Sequence, residues 1–280
     1  MLGEPANVDG QEESTMADLG SVTAFAGTAE NYQRYRVPYP DEVFDWIRRE
    51  YGLDGRGRLL DAGCGTGYVC LPLSRWFEDV VAIDPEPDML RAAERAARMQ
   101  GVPNVRFLRQ SAEDVSPSLA PLRLVTFGNS FHWTDRARVA HAFFSLIAPG
   151  GGLVALASSS VWEGEQPWKV TLLDTINAWT GRGQRARSGR LPGAPLHQDV
   201  LRETPFGEPR VVDIVKCHTW TTDTLIGLLY SSSLQLPRVL GDRIGEFERD
   251  LRNRLIRLAP DDRFVDDIEF TIISAKKLGV

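Results

Sequence analysis

Apolar and polar positions along the chain predict an alternation of strands and helices. Short apolar runs that fit buried strands occur at Leu59–Leu60, over 80–84 (VVAID), over 104–110 (NVRFLRQ), over 122–130 (LRLVTFGNS) and over 153–160 (LVALASSS). Helical spacing fills the intervals. One helix is predicted over 66–77 with Pro72 in its first turns, and another over 86–100 with Met89 and Leu90 toward the sheet. A third, over 134–147, has an apolar face of Val139, Ala142, Phe143 and Leu146. An earlier helix, led by Pro40, carries Val43, Phe44, Trp46 and Ile47 inward. Strands that alternate with helices of this length describe an α/β fold around a mostly parallel sheet.

The pattern breaks after residue 160. Trp162, Trp168 and Trp179 flank a helix predicted over 166–180, and GRGQRARSGRLPGAPL then supplies glycine, arginine and proline with little apolar content. That stretch reads as a mobile loop, and its Arg182, Arg185, Arg187 and Arg190 as a solvated charge run rather than a trap for an acidic substrate. Strand character returns over 211–220, followed by helices over 221–233 and 237–258 and a last strand over 264–277. Four segments follow: a polar leader without fixed structure (1–22), a core with an N-terminal cap (23–160), a lid insertion (161–210) and a C-terminal part (211–280). The last completes the sheet and adds lid helices. His218 and Trp220 lie inside a strand, which favours the core over the pocket.

Candidate chemistry begins at 58–67, RLLDAGCGTG, where a short strand enters Asp61 and then glycines at 63, 65 and 67. Glycines here let the backbone take positive φ and let a ligand lie against the main chain. The dinucleotide fingerprint needs a third small residue where this chain has Tyr68, and no Gly-Lys-Ser/Thr follows, so NAD and Walker-type phosphate binding are both disfavoured. The next strand ends in Asp84, placed where an open α/β sheet offers a carboxylate to ribose hydroxyls. The competing reading of Asp84 is a turn before Pro85 or a helix cap.

The D-x-G-x-G-x-G pattern resembles motif I of class I S-adenosylmethionine-dependent methyltransferases. The YxxYRxxYP arrangement from Tyr32 resembles the cap of small-molecule members related to the trans-aconitate and ubiquinone/menaquinone-biosynthesis enzymes. The resemblance implies a Rossmann-like α/β sheet of seven strands, mostly parallel with the last antiparallel, helices on both faces and a helical lid insertion. It implies S-adenosyl-L-methionine as cofactor, with Gly63 and Gly65 against its methionine and ribose parts, Asp84 and the adjoining Pro85 at the ribose, and Met89 near the adenine. By the same resemblance Tyr32 and Arg36 meet the cofactor carboxylate, Ala112, Glu113 and Asp114 hold the adenine, and the Asn129–Ser130 backbone faces the methionine amine. His132 is the candidate general base, or else a wall or packing residue, because a sulfonium methyl is already activated and alignment alone supplies much of the rate. Tyr39, Trp133 and Trp162 are candidate walls for the substrate.

Composition narrows the partners. Thirty-two basic and thirty-eight acidic residues leave a net charge of −6, which lacks the electrostatic footprint of a nucleic-acid binder. Three cysteines without framework spacing, no long apolar span and no signal pattern lead to the expectation of a cytoplasmic protein without membrane contact, monomer or homodimer. The four histidines are scattered, so no metal site is expected. The expected function is methyl transfer to an O, N or C atom of a small, apolar or aromatic metabolite; the alternative is a cyclase or isomerase that uses the cofactor's charge without methylating.

Overall fold

A computed structural model describes residues 25–162, 164–181 and 195–279. The leader over 1–22 and the arginines 182, 185, 187 and 190 lie outside the described residues.

The chain opens with α1 (Ala29–Tyr35) and α2 (Asp41–Tyr51), the second starting directly after Pro40 and closing on Gly52. The alternation follows with β1 (Arg58–Ala62), α3 (Cys70–Leu73), β2 (Asp79–Asp84), α4 (Pro87–Gln100), β3 (Val105–Arg109), β4 (Leu122–Gly128), α5 (Arg136–Leu146) and β5 (Ile147–Ser158). The C-terminal part holds α6 (Pro167–Thr180), α7 (His197–Arg202), β6 (Arg210–Trp220), α8 (Thr222–Tyr230), α9 (Leu236–Leu240), α10 (Ile244–Leu258) and β7 (Phe264–Lys276). One seven-stranded sheet runs in the order β3-β2-β1-β4-β5-β7-β6, and β7 is antiparallel to both of its neighbours. The carboxyl ends of β1, β2 and β4 therefore meet at one edge.

Strand residues alternate between two apolar layers. Leu59, Val80, Ala82 and Leu124 join Val43, Phe44 and Ile47 of α2 and the helices of the C-terminal part. Leu60, Val81, Ile83 and Val125 join Val139, Ala140 and Phe143 of α5 on the other side. The centre of that second layer is a run of rings, with Phe127 4.8 Å from Phe131 and 5.9 Å from Phe143, all three buried. Removing one ring from such a cluster costs about 3–5 kcal/mol.

Several predicted elements differ in detail. The helix predicted over 66–77 shrinks to α3 and a 3₁₀ turn at Ser74–Trp76, because the glycine turn runs on through Gly67 and Pro72 has no N–H for the helical ladder. The helix over 237–258 divides into α9, a 3₁₀ turn at Gly241–Arg243 and α10. Ala142 is exposed, and Ala140 takes its place on the buried face of α5. β5 starts at Ile147, so the glycines after Pro149 lie within the strand instead of before it. The segment 161–210 is not one layer either. α6 packs with α10 through Leu172, Ile176, Leu251 and Leu255, whereas Leu201 of α7 and the following Phe206 join the opposite face.

Candidate active site

β1 carries the chain into Gly63, Gly65 and Gly67, whose φ values of +65°, +53° and +92° suit residues without a Cβ. A Cβ on Gly63 would lie 2.6 Å from the Cβ of Ser130, and Ser130 Oγ donates to the Ala62 carbonyl at 2.7 Å. The same addition at Gly65 meets nothing within 4 Å. The turn is thus packed against the tip of β4 at Gly63 and open at Gly65, which leaves bare main chain for a ligand to lie against.

Two acids hold this turn. Asp84 Oδ2 accepts from Gly65 N at 2.9 Å, and Asp84 Oδ1 accepts from Glu86 N at 2.8 Å. A carboxylate has about four lone pairs, so each oxygen keeps one for a ligand hydroxyl. Asp84 opens the turn into α4, whereas Glu86, not Asp84, caps that helix by accepting from Asp88 N at 3.2 Å. Burial pushes the Asp84 carboxyl above the ordinary carboxylate range, against the pull of the two amides.

The second acid, Asp61, is fully buried; Thr126 Oγ1 donates to it at 2.7 Å and Cys70 N at 3.1 Å. Burial raises its pKa to about 6 despite both bonds. Sequence reasoning assigned it no role, although an acid inside an apolar strand was the available signal.

α1 lies across the turn. Tyr68 Oη donates to the Gln33 carbonyl at 2.8 Å, so the bulky residue that disfavours NAD pins the cap above the glycines. The Tyr32 ring sits 5.9 Å from Tyr68, and the Arg36 guanidinium lies over Tyr32 at 4.9 Å. Arg36 Nε donates to Ser231 Oγ at 2.9 Å and Nη2 to the Ser231 carbonyl at 3.3 Å, which ties the cap to the end of α8. Met89 does not face the sheet as expected. It is buried under α1 in a small cluster with Ala29, Ala92, Phe25 and Tyr32, while its neighbour Leu90 joins the core.

The predicted adenine loop is the 3₁₀ turn Ala112–Asp114. Ser111 Oγ donates to Asp114 Oδ2 at 2.8 Å, and Glu113 Oε1 accepts from Asp135 N at 3.0 Å, joining this loop to the start of α5. At the tip of β4, Asn129 takes φ +52° and its amide side chain brackets Ser158, donating to Ser158 Oγ at 2.9 Å and accepting from Ser158 N at 3.1 Å. The tips of β4 and β5 are locked together by this pair.

His132 and Trp133 follow on a 3₁₀ turn. Phe25 bridges Trp133, at 5.6 Å, to Tyr32 of the cap, at 6.3 Å, an aromatic link between distant segments that the sequence pattern did not bring together. Surrounding protein and then the Arg136 charge push the His132 pKa down, to about 4. His132 is therefore neutral at pH 7. Its ring is nevertheless in contact with solvent, which lets it meet an incoming acceptor.

Tyr39 stands at the same edge, buried, its ring 5.8 Å from Phe270. Its hydroxyl would be 3.7 Å from a Cβ on Gly128 and has no hydrogen-bond partner among the described residues. Trp162 is half-buried against the larger apolar layer, to which Tyr39 also belongs. Among the described residues no cluster of His, Cys, Asp or Glu is arranged to hold a metal ion, and no helix is long and apolar enough to cross a membrane.

Residues 59–151 match the family model of a methyltransferase domain. An uncharacterized methyltransferase of Mycobacterium tuberculosis strain H37Rv is 32% identical over 130 residues, which cover 46% of this chain and 50% of that protein. The tRNA 5-carboxymethoxyuridine methyltransferase of Escherichia coli K12 is 30% identical over 130 residues, 45% of this chain and 49% of its own length. The chain spans about half the length of these relatives. Among solved structures, a candidate type II methyltransferase from Anaeromyxobacter dehalogenans superposes with a TM-score of 0.58 at 21% identity, covering 88% of this chain and all of that one. The precorrin 8W decarboxylase of Methanobacterium thermoautotrophicum does so with 0.51 at 16%, covering 89% and 95%. At these identities the likeness is one of fold.

Proposed function

We propose, from the match of residues 59–151 to a methyltransferase domain, that this chain is a class I S-adenosylmethionine-dependent methyltransferase that methylates an O, N or C atom of a small, apolar or aromatic metabolite. When bound, S-adenosylmethionine supplies a methyl group activated by positive sulfur. The observation that carries the proposal is the edge itself: an open main chain at Gly65, an acid with spare lone pairs at Asp84, and an orphaned buried hydroxyl at Tyr39. No part of that edge offers the lysine a triphosphate needs, and Tyr68 fills the place where a dinucleotide needs a small residue.

In this reading Gly63 and Gly65 admit the cofactor, Asp84 and Pro85 hold its ribose, and the loop Ala112–Asp114 holds the adenine. The Asn129–Ser130 backbone lies at the methionine amine, with Tyr32 on the cap side. Arg36 orients the cap through Ser231 in addition to any charge it offers the cofactor carboxylate. Tyr39 supplies a hydrogen bond at the tip of β4, and Trp133 with Phe25 forms an aromatic wall for the substrate. The acidic net charge favours a small molecule over the tRNA substrate named for the Escherichia coli relative.

Tyr39 gives the sharpest local test. Because its hydroxyl has no partner, Tyr39→Phe should leave Tm unchanged or raise it slightly, since burying an unpaired hydroxyl costs about 1–3 kcal/mol. Turnover should fall about tenfold as the bond at the reacting edge is lost. A fall in Tm with full activity would make Tyr39 a packing residue.

His132 is assigned to take the acceptor's proton, or to orient the acceptor. As a base it must be neutral, and its depressed pKa keeps it so down to about pH 4. The rate should therefore show no loss as pH falls from 8 through 6.5, and should decline only toward the lower value. A single ionisation near 6.5 that vanishes in His132→Ala would contradict the depressed pKa.

A further inference from the structure

β6 and β7 go on pairing beyond the end of β5, from Ile214↔Phe270 to Trp220↔Phe264. At about 3.3 Å per residue this hairpin reaches roughly 20 Å past the carboxyl edge of the sheet. Its inner face is apolar at Phe264, Ile268 and Phe270, and then breaks that rule once, at Asp266.

Asp266 is 3% exposed and stands 2.8 Å from Nζ of Lys169, itself 4% exposed, at the start of α6. The two charges are close, yet Asp266 Oδ1 has no aligned hydrogen bond. His218 is the cross-strand partner of Asp266, and its ring stands 4.3 Å from that of Trp220. Trp220 is 2% exposed, and its indole N–H has no hydrogen-bond partner among the described residues. Lys169 Nζ lies over the Trp168 ring at 5.4 Å, and Trp168 touches Phe264, the strand partner of Trp220, at 5.9 Å. Contacts thus link Trp220, His218, Asp266, Lys169, Trp168 and Phe264 in a closed ring.

A buried ion pair is a poor source of stability, because desolvation offsets its attraction. An orphaned indole N–H adds about 1–3 kcal/mol of cost. Apolar residues would bind α6 to the hairpin without either cost, so the arrangement calls for an incoming partner. The pair is neutral as a unit, and no further cation is recorded in the ring to receive an anion. An uncharged oxygen acceptor is the chemistry that an unpaired N–H beside a neutral pair accommodates. Trp220 pairs with Phe264, six residues along β7 from Phe270, the neighbour of Tyr39, roughly 20 Å away along the strand. That span, shortened by the reach of the indole itself, calls for an elongated metabolite.

We propose that this ring is the far end of the substrate site, where Trp220 Nε1–H, supported by Lys169, receives a carbonyl oxygen of the molecule whose other end is methylated beside Tyr39. The assignment rests on the methyl-transfer reading above. It makes Trp220 and Lys169 determinants of specificity that leave cofactor binding untouched.

The test uses the full chain saturated with S-adenosylhomocysteine and labelled with ¹⁵N at the indole nitrogens, the Trp220 signal being assigned by Trp220→Phe. Two one-ring probes of the Trp220 end alone, 4-hydroxyacetophenone and 4-ethylphenol, which differ by a carbonyl in place of a methylene, are titrated in turn. The ketone should move the Trp220 N–H signal downfield and bind about tenfold more tightly than the alkyl phenol, a difference of about 1.4 kcal/mol. Trp220→Phe should abolish that preference and keep the affinity for S-adenosylhomocysteine. A Trp220 signal indifferent to the ketone, or a preference that survives Trp220→Phe, would overturn the carbonyl site. Binding of S-adenosylhomocysteine is read separately in the same sample, so failure of the cofactor reading is told apart from failure of this one.

Discussion

Asp84→Asn is expected to weaken binding of S-adenosylhomocysteine by about 30- to 100-fold, since a hydrogen bond to a charged group contributes roughly 1.5–3 kcal/mol and the ribose would lose the negative charge and one of its two acceptor oxygens. The substitution also places an amide nitrogen against Gly65 N or Glu86 N, both donors, so a modest fall in Tm accompanies it. Loosening of the turn and loss of a direct contact are separated by the 2′-deoxy analogue of the ligand. Wild-type protein should prefer the hydroxylated compound clearly, and the variant should bind the two alike. An equal loss for both compounds would confine Asp84 to shaping the turn.

A large effect on stability is also expected at Asp61. Asp61→Ala strips the partner from the buried Thr126 hydroxyl and Cys70 N–H and leaves a void among fully buried residues. The combined cost is about 3 kcal/mol, which for a chain of this size lowers Tm by roughly 6–12 °C. The pH dependence carries its own signature. Because the folded-state pKa is raised to about 6, above the usual carboxylate value, Asp61's contribution is full at low pH and is lost as pH rises through about 6. In wild-type protein that loss amounts to about 3 kcal/mol between pH 4 and 7. Chemical denaturation of Asp61→Ala across the same range should lack this component. An unchanged slope would mean that Asp61 titrates normally in the folded state.

Much of the frame was legible because strand and helix periods are strong signals. The apolar runs at β1, β2, β4 and β5 are bounded by acids, glycines and prolines, and the seven strands with an antiparallel last one followed from the resemblance at the glycine turn. The site's backbone was legible for the same reason, since Gly63, Gly65 and Asp84 act through spacing along one segment. What escaped were pairings between distant segments. Tyr68 as the anchor of α1, Arg36 on Ser231, Asn129 on Ser158 and Phe25 on Trp133 join residues that no local pattern brings together. Met89 was misplaced because helical periodicity marks a buried face without saying what covers it, and α1 rather than the sheet does so. The short α3 shows the converse, since a helical pattern was overridden by a turn whose last positive φ falls at Gly67.

The central claim is that the bend at Gly63–Gly67 and the carboxylate of Asp84 receive a nucleoside without phosphates. Calorimetric titration of the full chain with S-adenosylhomocysteine, beside NADH under the same conditions, tests it most directly. The expected result is saturable binding of S-adenosylhomocysteine with no heat from NADH. Saturable binding of NADH with none of S-adenosylhomocysteine would contradict it.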